Sequence, residues 1–109
     1  MLDFELESRL LTPIEQQPML ASLNLDSVCH WQIEDGCLHC ELTFQDFDQA
    51  FGFMTRCAQE ARRLNHHPDW RNVYNRVWIS LITHDAGGLT QQDFRLAEMI
   101  NQLVEDVAG

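Results

Sequence analysis

Three of the five histidines fall where a loop meets a predicted element: the adjacent pair His66 and His67, and His84 at the end of the strongest strand-like run. Imidazole titrates at about pH 6.5 and both gives and takes protons at neutral pH, so several converging on one pocket suit general acid–base work. Asp93, beyond a glycine-bearing turn from His84, can orient or charge-tune one of them. A blander reading stands beside it: Thr90-Gln91-Gln92-Asp93 is also a capping-box arrangement, in which Asp93 serves a helix start. His66-His67-Pro68 alone reads equally well as a loop of solvated histidines. His30 and His39 fall within predicted strands and read as structural.

Other chemistries have weaker support. His66, His67, His84 and Asp93 together offer enough nitrogen and oxygen ligands for zinc or iron, yet adjacent histidines seldom reach one ion and no HxH or HExxH step is present. Cys37-Leu-His-Cys40 resembles a zinc knuckle, but residues three apart on a strand face opposite sides of the sheet. No metal is therefore expected. The four cysteines, Cys29, Cys37, Cys40 and Cys57, lie outside the histidine region and read as small buried hydrophobes. Gly87-Gly88 lacks the following lysine of a phosphate loop and reads as a tight turn. Trp31, Trp70 and Trp78 read as core or interface anchors, with Trp70 and Tyr74 flanking the histidine loop where they can line a flat pocket.

The elements that must position these groups follow from their punctuation. Thr12-Pro13-Ile14-Glu15 opens a helix with a threonine cap, a proline at the first turn and a glutamate reaching back, and it runs to about Leu23. Val28 to Ile33 and Cys37 to Phe44 are β-prone on either side of Glu34-Asp35-Gly36, which predicts a hairpin. Asp46 caps a second helix, with Phe47, Ala50, Phe51, Met54, Ala58, Ala61 and Leu64 as its apolar stripe. Trp70 to Tyr74 and Arg76 to Thr83 follow as strands. In the latter Val77, Ile79 and Leu81 oppose Trp78, Ser80 and Ile82, so both faces carry apolar bulk. Thr90 caps a last helix whose stripe is Phe94, Ala97, Ile100, Leu103, Val104 and Val107. The expected fold is α+β: a four-stranded antiparallel sheet with three helices packed mainly on one face, in the order α-β-β-α-β-β-α. Helices cover one side, and a second subunit is the expected cover for the remaining apolar surface.

The chain has 109 residues with 45% hydrophobic and 22% charged, which fits a single domain spanning 1–109. Seven Lys+Arg against 17 Asp+Glu give a formal net charge of -10, which repels phosphate backbones and anionic lipid alike, so neither nucleic acid nor membrane is an expected partner. An acidic opening without a basic and apolar leader pattern, and no apolar run of about 18 residues, point to the cytoplasm, where free thiols are the default.

Phe44-x-Asp-Phe-x-x-Ala-Phe-x-Phe-Met-Thr, Leu64-Asn-His-His-Pro-Asp-Trp-x-Asn-Val-Tyr-Asn-x-Val and Thr83-His-Asp-x-Gly-Gly-Leu-Thr-x-x-Asp93 follow one another without a gap in their spacing. From Phe44 to Leu103 the chain resembles the pterin-4a-carbinolamine dehydratase family. The resemblance implies a hydro-lyase that removes water from a 4a-hydroxy-tetrahydropterin to give the quinonoid dihydropterin, recycling the cofactor of an aromatic amino acid hydroxylase. It implies catalytic residues His66, His67, His84 and Asp93, a substrate pocket at Pro68, Thr83 and Asp85 with Trp70 beside it, and no metal or cofactor apart from the pterin substrate. His67 and His84 are first choice for direct proton transfer, with Asp93 holding an imidazole or the pterin ring nitrogens. A homodimer or homotetramer is expected. One position departs from the family pattern: Arg62 stands where an acid, Lys or His is usual, with Glu60 two residues earlier. The alternative is a non-catalytic interaction or assembly factor on the same scaffold, against which the retention of all three histidines and Asp93 speaks.

Overall fold

The structure, a computed structural model, describes residues 8–108. Helix α1 (Pro13–Asn24) starts on the expected capping box: Thr12 accepts from the Glu15 amide, and the Glu15 carboxylate accepts from the Thr12 amide. The Arg9 guanidinium also binds Glu15 and holds its carboxyl down at about 2. Strands β1 (Gln32–Glu34) and β2 (Cys37–Thr43) form the predicted hairpin, closed by Asp35 at φ 51° and Gly36 at φ 76°. Two successive positive φ values are what a type I′ turn requires, and Asp-Gly is among the pairs that supply them at least cost.

Helix α2 (Phe47–Leu64) is capped by Asp46, and a hairpin of β3 (Asp69–Val73) and β4 (Arg76–Leu81) follows. Helix α3 (Gln91–Ala108) ends the described chain. All pairings are antiparallel in the order β1-β2-β4-β3, so the expected α+β fold with order α-β-β-α-β-β-α is present.

The core lies between one sheet face and the helices. Leu38, Cys40, Leu42, Val77, Ile79 and Leu81 meet Ala50, Phe53, Cys57 and Ala61 of α2 and Phe94, Leu96, Ala97 and Ile100 of α3, all buried. The buried stripe of α2 differs from the expected one. Phe47 and Phe51 are exposed and stack on each other with ring centroids 5.5 Å apart, while Phe53 and Cys57 face the sheet. Two apolar stripes share Ala50 and Ala61, and three-and-four spacing fits both; the sheet takes the one that lets Phe53 meet Phe44 at 5.0 Å.

The first predicted strand is also shorter than Val28 to Ile33. The Trp31 amide and carbonyl are both satisfied by the Asn24 side chain, at 2.8 and 2.9 Å, and the Cys29 amide by Ser27, so this stretch needs no strand partner. Asn101 of α3 completes the tie: its side chain accepts from the Trp31 indole at 2.8 Å and donates to the Leu23 carbonyl at 2.9 Å.

The opposite sheet face carries Gln32, His39, Glu41, Arg71, Arg76, Trp78 and Ser80. Part of the cover for Trp78 comes from within the chain: the Arg71 guanidinium lies 3.9 Å and that of Arg76 4.9 Å from its ring centroid, and Arg76 is paired with Glu41. His39 hydrogen-bonds Ser80 at 3.0 Å, a structural use consistent with its expected role.

Burial pushes the Cys29 thiol up to about 11 and Cys57 to about 12, and Cys40 higher still, whereas Cys37 is half-buried and less displaced. Because each raised value favours the neutral thiol in the folded state, the buried thiols give up little thiolate until the pH climbs well past 9 or the chain unfolds. In native protein at pH 8, a thiol reagent is expected to modify Cys37 alone, with the other three reacting only in denaturant, as counted by intact-mass spectrometry.

Candidate active site

Two chain reversals place the histidines. Helix α2 ends at Asn65, which takes the left-handed conformation (φ 54°, ψ 41°) and donates its amide to the carbonyls of Ala61 and Arg62. Asparagine tolerates that region better than most residues, and the reversal throws His66 off the helix end, with its amide bonded back to Ala61 at 3.0 Å. At the far end of β4, Thr83 and Gly88 exchange backbone hydrogen bonds around a single 3-10 turn, His84–Ala86. Gly87 closes that turn at φ 76°. Helix α3 then begins beside it and brings in Asp93.

Asp93 is fully buried and every bond it makes is accounted for. Its Oδ2 accepts from the Thr83 hydroxyl at 2.8 Å and from the Thr90 amide at 2.9 Å; its Oδ1 lies 2.6 Å from His66 Nε2. Both readings of Asp93 are therefore realised at once, one oxygen serving the helix start and the other the imidazole. A carboxylate with two donors on one oxygen acts as an acceptor, so His66 donates from Nε2.

The remaining imidazoles are left open. His67 is exposed, and His84 is 76% exposed with Nε2 3.5 Å from Asp69 Oδ2. His66, His67, Thr83, His84 and Asp85 share the wall of one hollow of about 560 Å³, together with Asn65 and Gln92. That is within the usual size of a small-molecule site. Among the described residues, no three His, Cys, Asp or Glu side chains are grouped to hold a metal ion.

Several expected site residues stand elsewhere. Trp70 pairs with Ile79 and lies on the helix-covered face, lining a separate groove of about 320 Å³ with Phe51, Met54 and Arg62. Tyr74 sits at φ 52° in the turn at the other end of β3, away from His84. Each has its own cause: strand alternation puts Trp70 on the opposite face from Asp69, and the length of β3 carries Tyr74 to the far end. Pro68 is half-buried and outside the hollow's wall. Thr83 is at the wall, but its hydroxyl is spent on Asp93. Arg62, the position that departs from the expected pattern, belongs to the Trp70 groove and not to the histidine hollow.

Asp69 and Gln92 were not singled out by sequence reasoning. Asp69 was findable from the β3–β4 register, which pairs it with Ser80 at the His84 end of the sheet.

Comparison with known proteins agrees with this architecture. Residues 9–103 match the family described as Pterin 4 alpha carbinolamine dehydratase. A protein of Burkholderia pseudomallei named putative pterin-4-alpha-carbinolamine dehydratase is 51% identical over 81 residues, 72% of this chain and 80% of that one. One of Solibacter usitatus with the same name is 55% identical over 73 residues, 67% of this chain and 77% of that one. The crystal structure of a transcriptional coactivator/pterin dehydratase from Brucella melitensis superposes with a TM-score of 0.79 at 38% identity, over 85% of this chain and 96% of that one. Fold, site and relatives together define a hydro-lyase. The chain belongs to the pterin-4a-carbinolamine dehydratase family.

Asp93→Asn replaces one acceptor oxygen by a donor, which then confronts either the His66 N–H or the Thr83 and Thr90 donors. A loss of about 1–3 kcal/mol in urea unfolding is expected from the buried mismatch, against near-neutral behaviour for a surface Asp→Asn such as Asp26→Asn.

Proposed function

We propose that this chain dehydrates a 4a-hydroxy-tetrahydropterin to the quinonoid dihydropterin by histidine acid–base catalysis. The observation that carries the reading is the division of labour in the hollow. His66 is held by a buried carboxylate, while His67 and His84 stand exposed at the same wall, His84 with the surface carboxylate of Asp69 3.5 Å away. Loss of water needs a proton on the departing 4a oxygen and removal of the proton from the adjacent ring nitrogen. One imidazole enters protonated and delivers to the oxygen; another enters neutral and takes the proton from nitrogen, so the substrate loses OH and H as water. His67 and His84 perform these transfers, and His66, fixed by Asp93, lines the substrate's resting place. Thr83 contributes through Asp93, and Asp85 flanks the opening.

The same reading places the enzyme after an aromatic amino acid hydroxylase, whose spent cofactor is the substrate. It also takes the chain as a homodimer or homotetramer, supported by the exposed Phe47 and Phe51 of α2 and by Val73 and Tyr74 at the β3–β4 turn. No helix among the described residues is long and apolar enough to cross a membrane. A second reading, an interaction protein on the same scaffold, draws support from the likeness to the transcriptional coactivator/pterin dehydratase of Brucella melitensis.

With enzymatically generated 4a-hydroxy-tetrahydropterin, the purified protein is expected to accelerate its loss. His67→Ala and His84→Ala should each lower kcat by roughly 10² to 10⁴. Full activity in both variants overturns the assignment; no rate in the wild type favours the interaction reading.

A further inference from the structure

The polar groups around the hollow differ in what they have left to offer a ligand. Asn65, His67, His84 and Asp85 are exposed; Ser8, His66, Thr83 and Gln92 lie deeper. Ser8 and Thr83 are already engaged, Thr83 with Asp93 at 2.8 Å, and His66 has given its Nε2 to the same carboxylate. The Gln92 side-chain carboxamide has no hydrogen-bond partner among the described residues, although its backbone is fixed: the amide donates to Thr90 Oγ1 at 3.2 Å. A half-buried carboxamide in this condition keeps two N–H donors and a carbonyl acceptor for whatever fills the hollow. Gln92 and His66 also share the wall of a second cleft of about 30 Å³ with Leu64 and Arg95, so the two residues are neighbours.

The ring of a tetrahydropterin presents a lactam edge, N3–H beside C4=O, and C4 is bonded directly to the reacting C4a. A carboxamide is complementary to a lactam: its N–H donates to O4 while its carbonyl accepts from N3–H. Among the described residues no arginine lines the hollow, so a neutral edge of the ligand is met there by hydrogen bonding and not by a cation.

We propose that Gln92 is a substrate-binding residue whose carboxamide pairs with the lactam edge of the pterin and thereby places C4a among the imidazoles. The identity of the ligand rests on the dehydratase reading.

The test compares wild type with Gln92→Leu and, as a control beside it on α3 but outside the wall, Gln91→Leu. Calorimetric binding of 7,8-dihydropterin is measured together with kcat and KM for 4a-hydroxy-tetrahydropterin. Q92L is expected to bind dihydropterin about tenfold more weakly and to raise KM by a similar factor, with kcat within about threefold, while Q91L matches wild type. A second probe, 3-methyl-7,8-dihydropterin, lacks the N3 proton; wild type and Q92L should bind it within about twofold of one another. Equal dihydropterin affinity in wild type and Q92L overturns the inference. So does a Q92L protein that loses as much affinity for the methylated probe, because shape and not the lactam pair would then matter. Should Q92L fail to fold, Gln92→Glu, which faces O4 with a second acceptor, is put through the same two-probe comparison and has to show the same selective loss. A wild type that binds dihydropterin without turnover ends the catalytic reading alone, since the two probes still decide the role of Gln92. A wild type that binds neither probe overturns both.

Discussion

A carboxylate deprived of water is costly to keep unless every oxygen is occupied, and Asp93 meets that condition with groups from three separate parts of the chain. His66 comes from the end of α2, Thr83 from the end of β4, and the Thr90 amide from the start of α3. None of these can drift without leaving a buried polar atom unpaired. The network thus ties the ends of two helices and a strand to one point, and the hollow forms around that point. His66 is held and His67 and His84 remain at the surface under the same arrangement: Thr83 and the Thr90 amide occupy Asp93 Oδ2, and His66 takes Oδ1.

The scaffold is well suited to this. An antiparallel sheet with helices on one face buries a continuous apolar layer and leaves strand ends and helix ends at its margins, where backbone reversals occur. The left-handed Asn65 and the Thr83–Gly88 closure are two such reversals, and both deliver a histidine to the same margin. Far from the site, Asn24 and Asn101 do comparable work for Trp31, replacing strand pairing by side-chain hydrogen bonds. The thiols, by contrast, fill space: Cys40 and Cys57 lie within the core, and desolvation keeps them neutral.

Much of this was legible in the residues themselves. The Thr12 and Asp46 caps, the Asp35-Gly36 turn and the alternation in β2 and β4 are local signals, each set within a few residues, and they gave the element order. The gathering of His66, His84 and Asp93 rested on family resemblance, because spacing along the chain does not say which loops meet. What escaped was decided by tertiary packing. The choice between two stripes on α2, the face on which Trp70 falls and the Asn24 substitute for a strand partner all depend on neighbours distant in sequence. Asp93 was ambiguous for a related reason: a capping acid and an imidazole partner carry the same sequence signature, and only a carboxylate's two oxygens let one residue be both.

The segment leading into α1 passes close to the working end of the molecule. The Leu11 amide bonds the Leu89 carbonyl at 2.8 Å, Ser8 stands at the wall of the hollow, and a Cβ added to Gly88 would come within 2.7 Å of Leu10 Cδ1. Any substitution that loosens the Leu10–Leu11 anchor is consequently felt at the hollow as well, because Ser8 is carried to its wall on the same stretch of backbone.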